Sequence, residues 1–129
     1  MHKSIGCVLS KQENIIKETM AYQIHNTKKT GNHTEQRKRL CEFFDKNFTL
    51  DEIMVLKAIM YFGRYCYTGE KSTDYEGNVE DVILAWLDNP GNKKEKDLEI
   101  DQIVSKGIQI GNYFETGFEE LNKRLQHSI

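Results

Sequence analysis

Proline occurs once in this sequence of 129 residues and glycine nine times. Proline-rich, collagen-like and loop-dominated folds need far more of one or the other, so all are excluded. No internal repeat is visible. Cysteine is equally sparse: Cys7, Cys41 and Cys66 are odd in number, widely spaced and without a Cys-x-x-Cys pair. That excludes a disulfide framework and predicts structural thiols in a reducing compartment. No stretch approaches the roughly 18 apolar residues of a membrane span. The apolar run 5–9 is too short for a signal-peptide core, and Lys11, Gln12, Glu13 and Asn14 follow it where a small-residue cleavage site belongs. Gly does not follow Met1, and the terminal His-Ser-Ile carries no lipidation cysteine. The expectation is a soluble, cytosolic protein without a membrane partner.

The usual arrangements of reactive side chains are missing too. His2, His25, His33 and His127 are scattered, with no His-x-x-x-His or Glu-x-x-His pair to set two ligands on one helical face, so no metal and no cofactor are expected. The acidic segment 74–81 fails as a calcium loop. Placing Gly77 sixth puts Ser72 first and Ile83 twelfth, where acids are required. There is no Gly-x-Ser-x-Gly elbow and no Gly-x-Gly-x-x-Gly. Gly-Glu-Lys-Ser at 69–72 lacks the Gly-Lys step of a P-loop. Glu80-Asp81 and Glu119-Glu120 are adjacent pairs that diverge by about 100° on a helix. An enzyme would need a site assembled from distant residues.

What is present is helical. Residues 49–65 open with a capping box, Thr49 with Glu52, and a hydrophobic staple, Phe48 with Ile53. Leu50, Ile53, Val55, Leu56, Ile59, Met60 and Phe62 then make the segment apolar nearly all round, the mark of a buried central helix ending near Gly63 and its flanking tyrosines. Before it, Ser10 with Glu13 predicts the start of a helix carrying Ile15, Ile16, Thr19, Met20 and Tyr22, and a second helix runs from 32 or 34 to 47. That second helix is expected to form a helical hairpin with the central one. A polar loop is expected at 68–78, then a short helix at 79–87 with Val82, Ile83 and Trp86 inward, stopped by Asn89-Pro90-Gly91. In 97–125, Gly107, Gly111 and Gly117 each weaken a helix by about 1 kcal/mol. Two helices broken near Gly111-Asn112 are therefore expected, with a short strand open at 108–110. The fold class is all-α, a compact bundle of about five or six helices in a single helical domain over 1–129.

Phe62-Gly63-Arg64, the downstream Trp86 helix and the stretch 112–121 (Asn-Tyr-Phe-Glu-Thr-Gly-Phe-Glu-Glu-Leu) resemble a family of small bacterial proteins known only as a domain of unknown function. The resemblance covers the C-terminal two thirds. It implies a helical fold and no activity.

Charge is unevenly placed. Residues 1–39 hold eight Lys/Arg against three Asp/Glu, a net +5, and residues 40–129 hold ten against seventeen, a net −7, which together give the overall −2. The basic part either packs on the acidic body or faces a partner. Two candidate surfaces follow. Lys57, Tyr61 and Arg64 fall at i, i+4 and i+7, which is either the solvent side of the central helix or a protein-contact stripe. Lys28, Lys29, Arg37, Lys38 and Arg39 form a basic segment, 28–39, which is either a charged connection or a nucleic-acid surface. By elimination the leading expectation is a protein-binding adaptor or inhibitor, of the kind found among bacterial accessory and phage-encoded proteins. Nucleic-acid binding is the alternative, and an enzyme with an unrecognised site the next. The aromatic residues near 61–67 and 113–118 suit a homodimer as well as a monomer's core.

Overall fold

Thr49 starts the helix around which the others assemble. The Thr49 amide donates to Glu52 Oε1 at 2.8 Å and the Glu52 amide donates to Thr49 Oγ1 at 3.3 Å, the reciprocal pair of a capping box. The computed structural model describes residues 3–28, 33–69, 79–88, 95–106 and 108–127, the side chains of 27, 28, 79, 86–88 and 125–127 excepted. They form α1 (Lys3–Ser10), α2 (Gln12–Lys28), α3 (His33–Asn47), α4 (Leu50–Thr68), α5 (Val79–Asp88), α6 (Lys96–Val104) and α7 (Ile110–His127), with no strand among the described residues. No helix among them is long and apolar enough to cross a membrane.

The all-helical class stands, with seven helices among the described residues where the pattern predicted five or six. The addition is α1. Its apolar run buries Ile5 and Val8 against the core. Ser10, expected to cap the next helix, closes this one instead, its hydroxyl donating to the Cys7 carbonyl at 2.6 Å.

Every side chain from Ile53 to Met60 is buried, because α1, α5, α6 and α7 all pack on α4. Gly63 does not end the helix. It continues to Thr68 and stops at Gly69, whose φ of 72° is left-handed backbone that glycine adopts without strain. Gly63 serves a crossing. A Cβ there would stand 1.7 Å from the Tyr113 carbonyl oxygen, and one on Gly117 would stand 2.7 Å from that of Ile59. The two glycines let α4 and α7 meet backbone to backbone. Gly111 does the same for α2, where a Cβ would come 2.8 Å from the Met20 Cα. Gly111 and Gly117, expected to weaken the helix, are therefore contact points within α7. The break lies upstream, after Val104, where the Lys106 amide donates to the Ile103 carbonyl at 3.2 Å in a tight turn.

The expected hairpin of α3 with α4 does not form. α3 leaves through Phe48 and packs mainly on α2 and α6. Phe44 still reaches the common core, 6.3 Å from Phe114, which stacks on Phe118 at 6.2 Å. Phe62, Phe114 and Phe118 are core residues, whereas Tyr67 is about half exposed. The segments 70–78 and 89–94, Gly107 and the Trp86 side chain lie outside the described residues.

The three cysteines are free and half-buried, short of the full burial expected of structural thiols. Their chemistry is nonetheless quiet. Burial pushes the Cys41 and Cys66 thiols up, and a hydrogen bond to the Glu52 carboxylate does the same for Cys7. Each is a weak nucleophile at neutral pH, since only the thiolate attacks.

Candidate functional site

The stripe at i, i+4 and i+7 on α4 does not share one environment. Lys57 is buried, so the reading that places it on the solvent side is corrected. Its ammonium donates to Glu99 Oε2 at 2.8 Å and to Gln102 Oε1 at 2.5 Å, both on α6. Glu99 is itself fully buried, and its Oε1 has no hydrogen-bond partner among the described residues. One turn on, Tyr61 is half-buried with the Lys106 ammonium 5.8 Å above its ring. Only Arg64, near the end of α4, reaches an open cleft. The pattern was sound as a period. What it did not carry was that α6 covers the first half of the stripe and stops at Val104.

The basic segment is divided as well. Lys29 and the Lys28 side chain lie outside the described residues. Arg37, Lys38 and Arg39 are consecutive on α3, and about 100° per residue sends them three ways. Arg37 pairs with Asp101 of α6. Lys38 lines a groove of about 310 Å³ between α3 and α6 that also holds Glu42, Asp45, Asp97 and Asp101. Arg39 is exposed and lies 3.7 Å from Glu18 of α2. No single basic face arises from these three residues.

Arg37 and Arg64, one from each candidate set, meet in the same place. A cleft of about 490 Å³ opens where α2, α3, α4, the 105–109 turn and the start of α7 come together. α2 contributes Tyr22 and Asn26, and α3 contributes His33 and Arg37 one turn apart. α4 contributes Arg64, the turn contributes Lys106 and Ile108, and the first turn of α7 contributes Tyr113. Local bonds hold these positions. The Tyr113 amide donates to the Gln109 carbonyl at 3.0 Å, and the Asn112 amide donates to Gln23 Oε1 at 2.9 Å, tying the start of α7 to α2. The Tyr22 and His33 rings lie 6.0 Å apart at 40°, forming one wall. Tyr113 packs edge-on against Tyr67 at 5.9 Å.

Among the described residues the electrostatics of the cleft are one-sided: its lining includes Arg37, Arg64 and Lys106 and no described carboxylate. Burial works against the Arg37 charge, but the Asp101 carboxylate and the Tyr22 hydroxyl outweigh it, so the guanidinium sits above its ordinary value and stays charged. Arg64 and Lys106 have no carboxylate within ion-pair distance among the described residues. Such a cleft attracts anions. It is poorly equipped for nucleophilic catalysis, because the Ser105 hydroxyl is turned away to the Gln102 carbonyl at 2.8 Å. Among the described residues no group of three His, Cys, Asp or Glu is placed to hold a metal ion.

No family model, curated protein or solved structure matches this chain. Of the residues behind the family resemblance, packing accounts for Phe62, Phe114, Phe118 and Leu121 in the core and Gly63 and Gly117 at the helix crossing, while Arg64 and Tyr113 line the cleft. Tyr22, Lys106 and Tyr113 were not singled out as site residues from the sequence, and His33 was weighed only as a scattered histidine beside the basic segment. The one local signal was the i, i+4 spacing of His33 and Arg37, which is too common to point anywhere.

Proposed function

We propose that this chain is a protein-binding adaptor or inhibitor that docks its partner on the cationic cleft, through a segment of the partner carrying negative charge beside an apolar residue. The observation that carries the reading is the convergence of Arg37, Arg64 and Lys106 on one cleft with no carboxylate among its described lining residues, next to an exposed Ile108. Arginine and tyrosine are the residue types that anchor protein interfaces most often, and the cleft supplies both. Ile108 is 73% exposed and Tyr67, packed on Tyr113, is 48% exposed, so the rim offers apolar area that a partner would cover. Long-range attraction by the cations would also speed encounter with an acidic partner.

The test is a parallel capture from nuclease-treated and untreated halves of a native-host lysate, using the wild-type chain, Arg64→Glu, and a variant with Lys28, Lys29, Arg37, Lys38 and Arg39 changed to Gln. The expected outcome is a stoichiometric protein held by wild type and lost from Arg64→Glu, whose helicity is unchanged by circular dichroism. Retention by Arg64→Glu equal to wild type would remove the cleft as the docking place. Material that disappears on nuclease treatment and depends on the five-residue variant would transfer the assignment to nucleic acid.

A further inference from the structure

We infer that the cleft is a dianion site and that the negative group it takes is a phosphate monoester, borne by a side chain of the partner or by a small molecule. The inference rests on the cleft being the working site proposed above. The first argument is charge matching. Asp101 already compensates Arg37. Arg64 and Lys106 remain as two cations lining one cleft with no described carboxylate partner. A phosphate monoester carries about −1.5 to −2 at neutral pH and would satisfy both, while one carboxylate would leave a cation unmatched.

The second argument is donor geometry. Each guanidinium offers a planar fork of N–H donors and the ammonium offers three more. A phosphoryl group presents three oxygens to such donors, one more than a carboxylate, and arginine forks suit it in bidentate fashion. Arg37 is held in place by Asp101, so little side-chain freedom is lost when it engages a ligand. The third argument is shape. The cleft volume of about 490 Å³ falls in the range of small-ligand sites and exceeds what a phosphoryl group alone fills. The exposed His33 ring, backed by the buried Tyr22, and Ile108 provide apolar surface for the organic part of an ester. Inorganic phosphate would use the cations and leave that surface unoccupied.

Calorimetric titration with phenyl phosphate, phenyl sulfate and benzoate, at a pH well above the ester's second ionisation and at low salt, tests the inference. Phenyl phosphate is expected to bind, with the two monoanions weaker by about tenfold or more, the worth of one charge-assisted hydrogen bond. Arg64→Gln and Lys106→Gln are each expected to weaken phenyl phosphate by about tenfold, whereas Lys38→Gln, in the neighbouring groove, leaves it unchanged. Arg64→Lys, which keeps the charge and loses the fork, should fall between wild type and Arg64→Gln, and circular dichroism checks that each variant stays helical. A phosphoserine peptide, its unphosphorylated form and adenosine monophosphate then distinguish a partner side chain from a free metabolite. Equal affinity for phosphate and the monoanions would overturn the dianion assignment, and so would indifference to both Arg64→Gln and Lys106→Gln or an absence of binding by every monoester. Any of these results is compatible with a nuclease-resistant partner lost from Arg64→Glu, so failure of the ligand class and failure of the docking reading are separable.

Discussion

Lys57 and Arg64 stand seven residues apart on α4, about 10 Å along the helix axis, and have opposite fates. Lys57 is buried under α6 and matched by Glu99, whereas Arg64 opens onto a cleft and has no carboxylate partner among the described residues. The difference is one of cover. α6 runs beside α4 past Lys57 and ends at Val104, so it does not extend over Arg64. A buried cation must be compensated for the chain to fold, so Lys57 is committed to structure. A cation at the rim remains hydrated and available, so Arg64 is free to serve a ligand.

Five single substitutions break or sharpen that contrast. The largest effect is expected from Lys57→Met, which strands the Glu99 carboxylate in the core and should cost about 3–5 kcal/mol in urea unfolding. Lys57→Met combined with Glu99→Leu removes both charges and should recover most of that loss; a double variant as unstable as the single would show that packing, not the ion pair, sets the cost. Next is Gly63→Ala, beside Arg64 in sequence. Its Cβ meets the Tyr113 backbone, so α7 must shift, at about 3 kcal/mol, and the Tyr113 wall of the cleft shifts with it. Wild-type stability with Ala at this position would mean that α4 and α7 do not approach as described.

A smaller effect belongs to the other end of α4. Thr49→Ala should cost about 1 kcal/mol by opening the capping box. Glu52 adds a pH signature. Burial pushes its carboxyl up, but the Cys7 thiol and the Thr49 amide and hydroxyl outweigh this and hold it below the ordinary 4.5. A depressed carboxyl contributes stability that is complete above 4.5 and is lost as pH falls through the folded value, so Glu52→Gln should lower stability at neutral pH and approach wild type in acid, flattening the acid limb of a stability–pH curve. The smallest stability effect is expected from Arg64→Glu, within about 0.5 kcal/mol of wild type, even as binding is lost. A large destabilisation there would erase the contrast with Lys57.

Legibility from sequence followed the range of the interaction. The cap of α4, its apolar girdle and the boundaries of α3 and α5 depend on neighbours within a few residues, and the patterns found them. α1 was missed because eight residues hold too few apolar positions to show a period on their own, and its helix depends on burying Ile5 and Val8 against the core. The glycines of α7 were read by propensity as breakers. The backbone contacts at Gly63, Gly111 and Gly117 outweigh that propensity, and no single-helix pattern contains them. Of the candidate site, Arg37 and Arg64 were visible as members of two unrelated groups, and nothing along the chain joined them.

The sequence by itself determined that this is a helical protein with a buried central helix capped at Thr49, because capping and amphipathic spacing are local properties of the chain. The tertiary structure alone decided which cations are structural and which are available. The cost of burying a charge depends on what lies over it, and here Glu99 of α6 lies over Lys57 while the turn after Val104 leaves Arg64, Lys106 and Tyr113 around an open cleft.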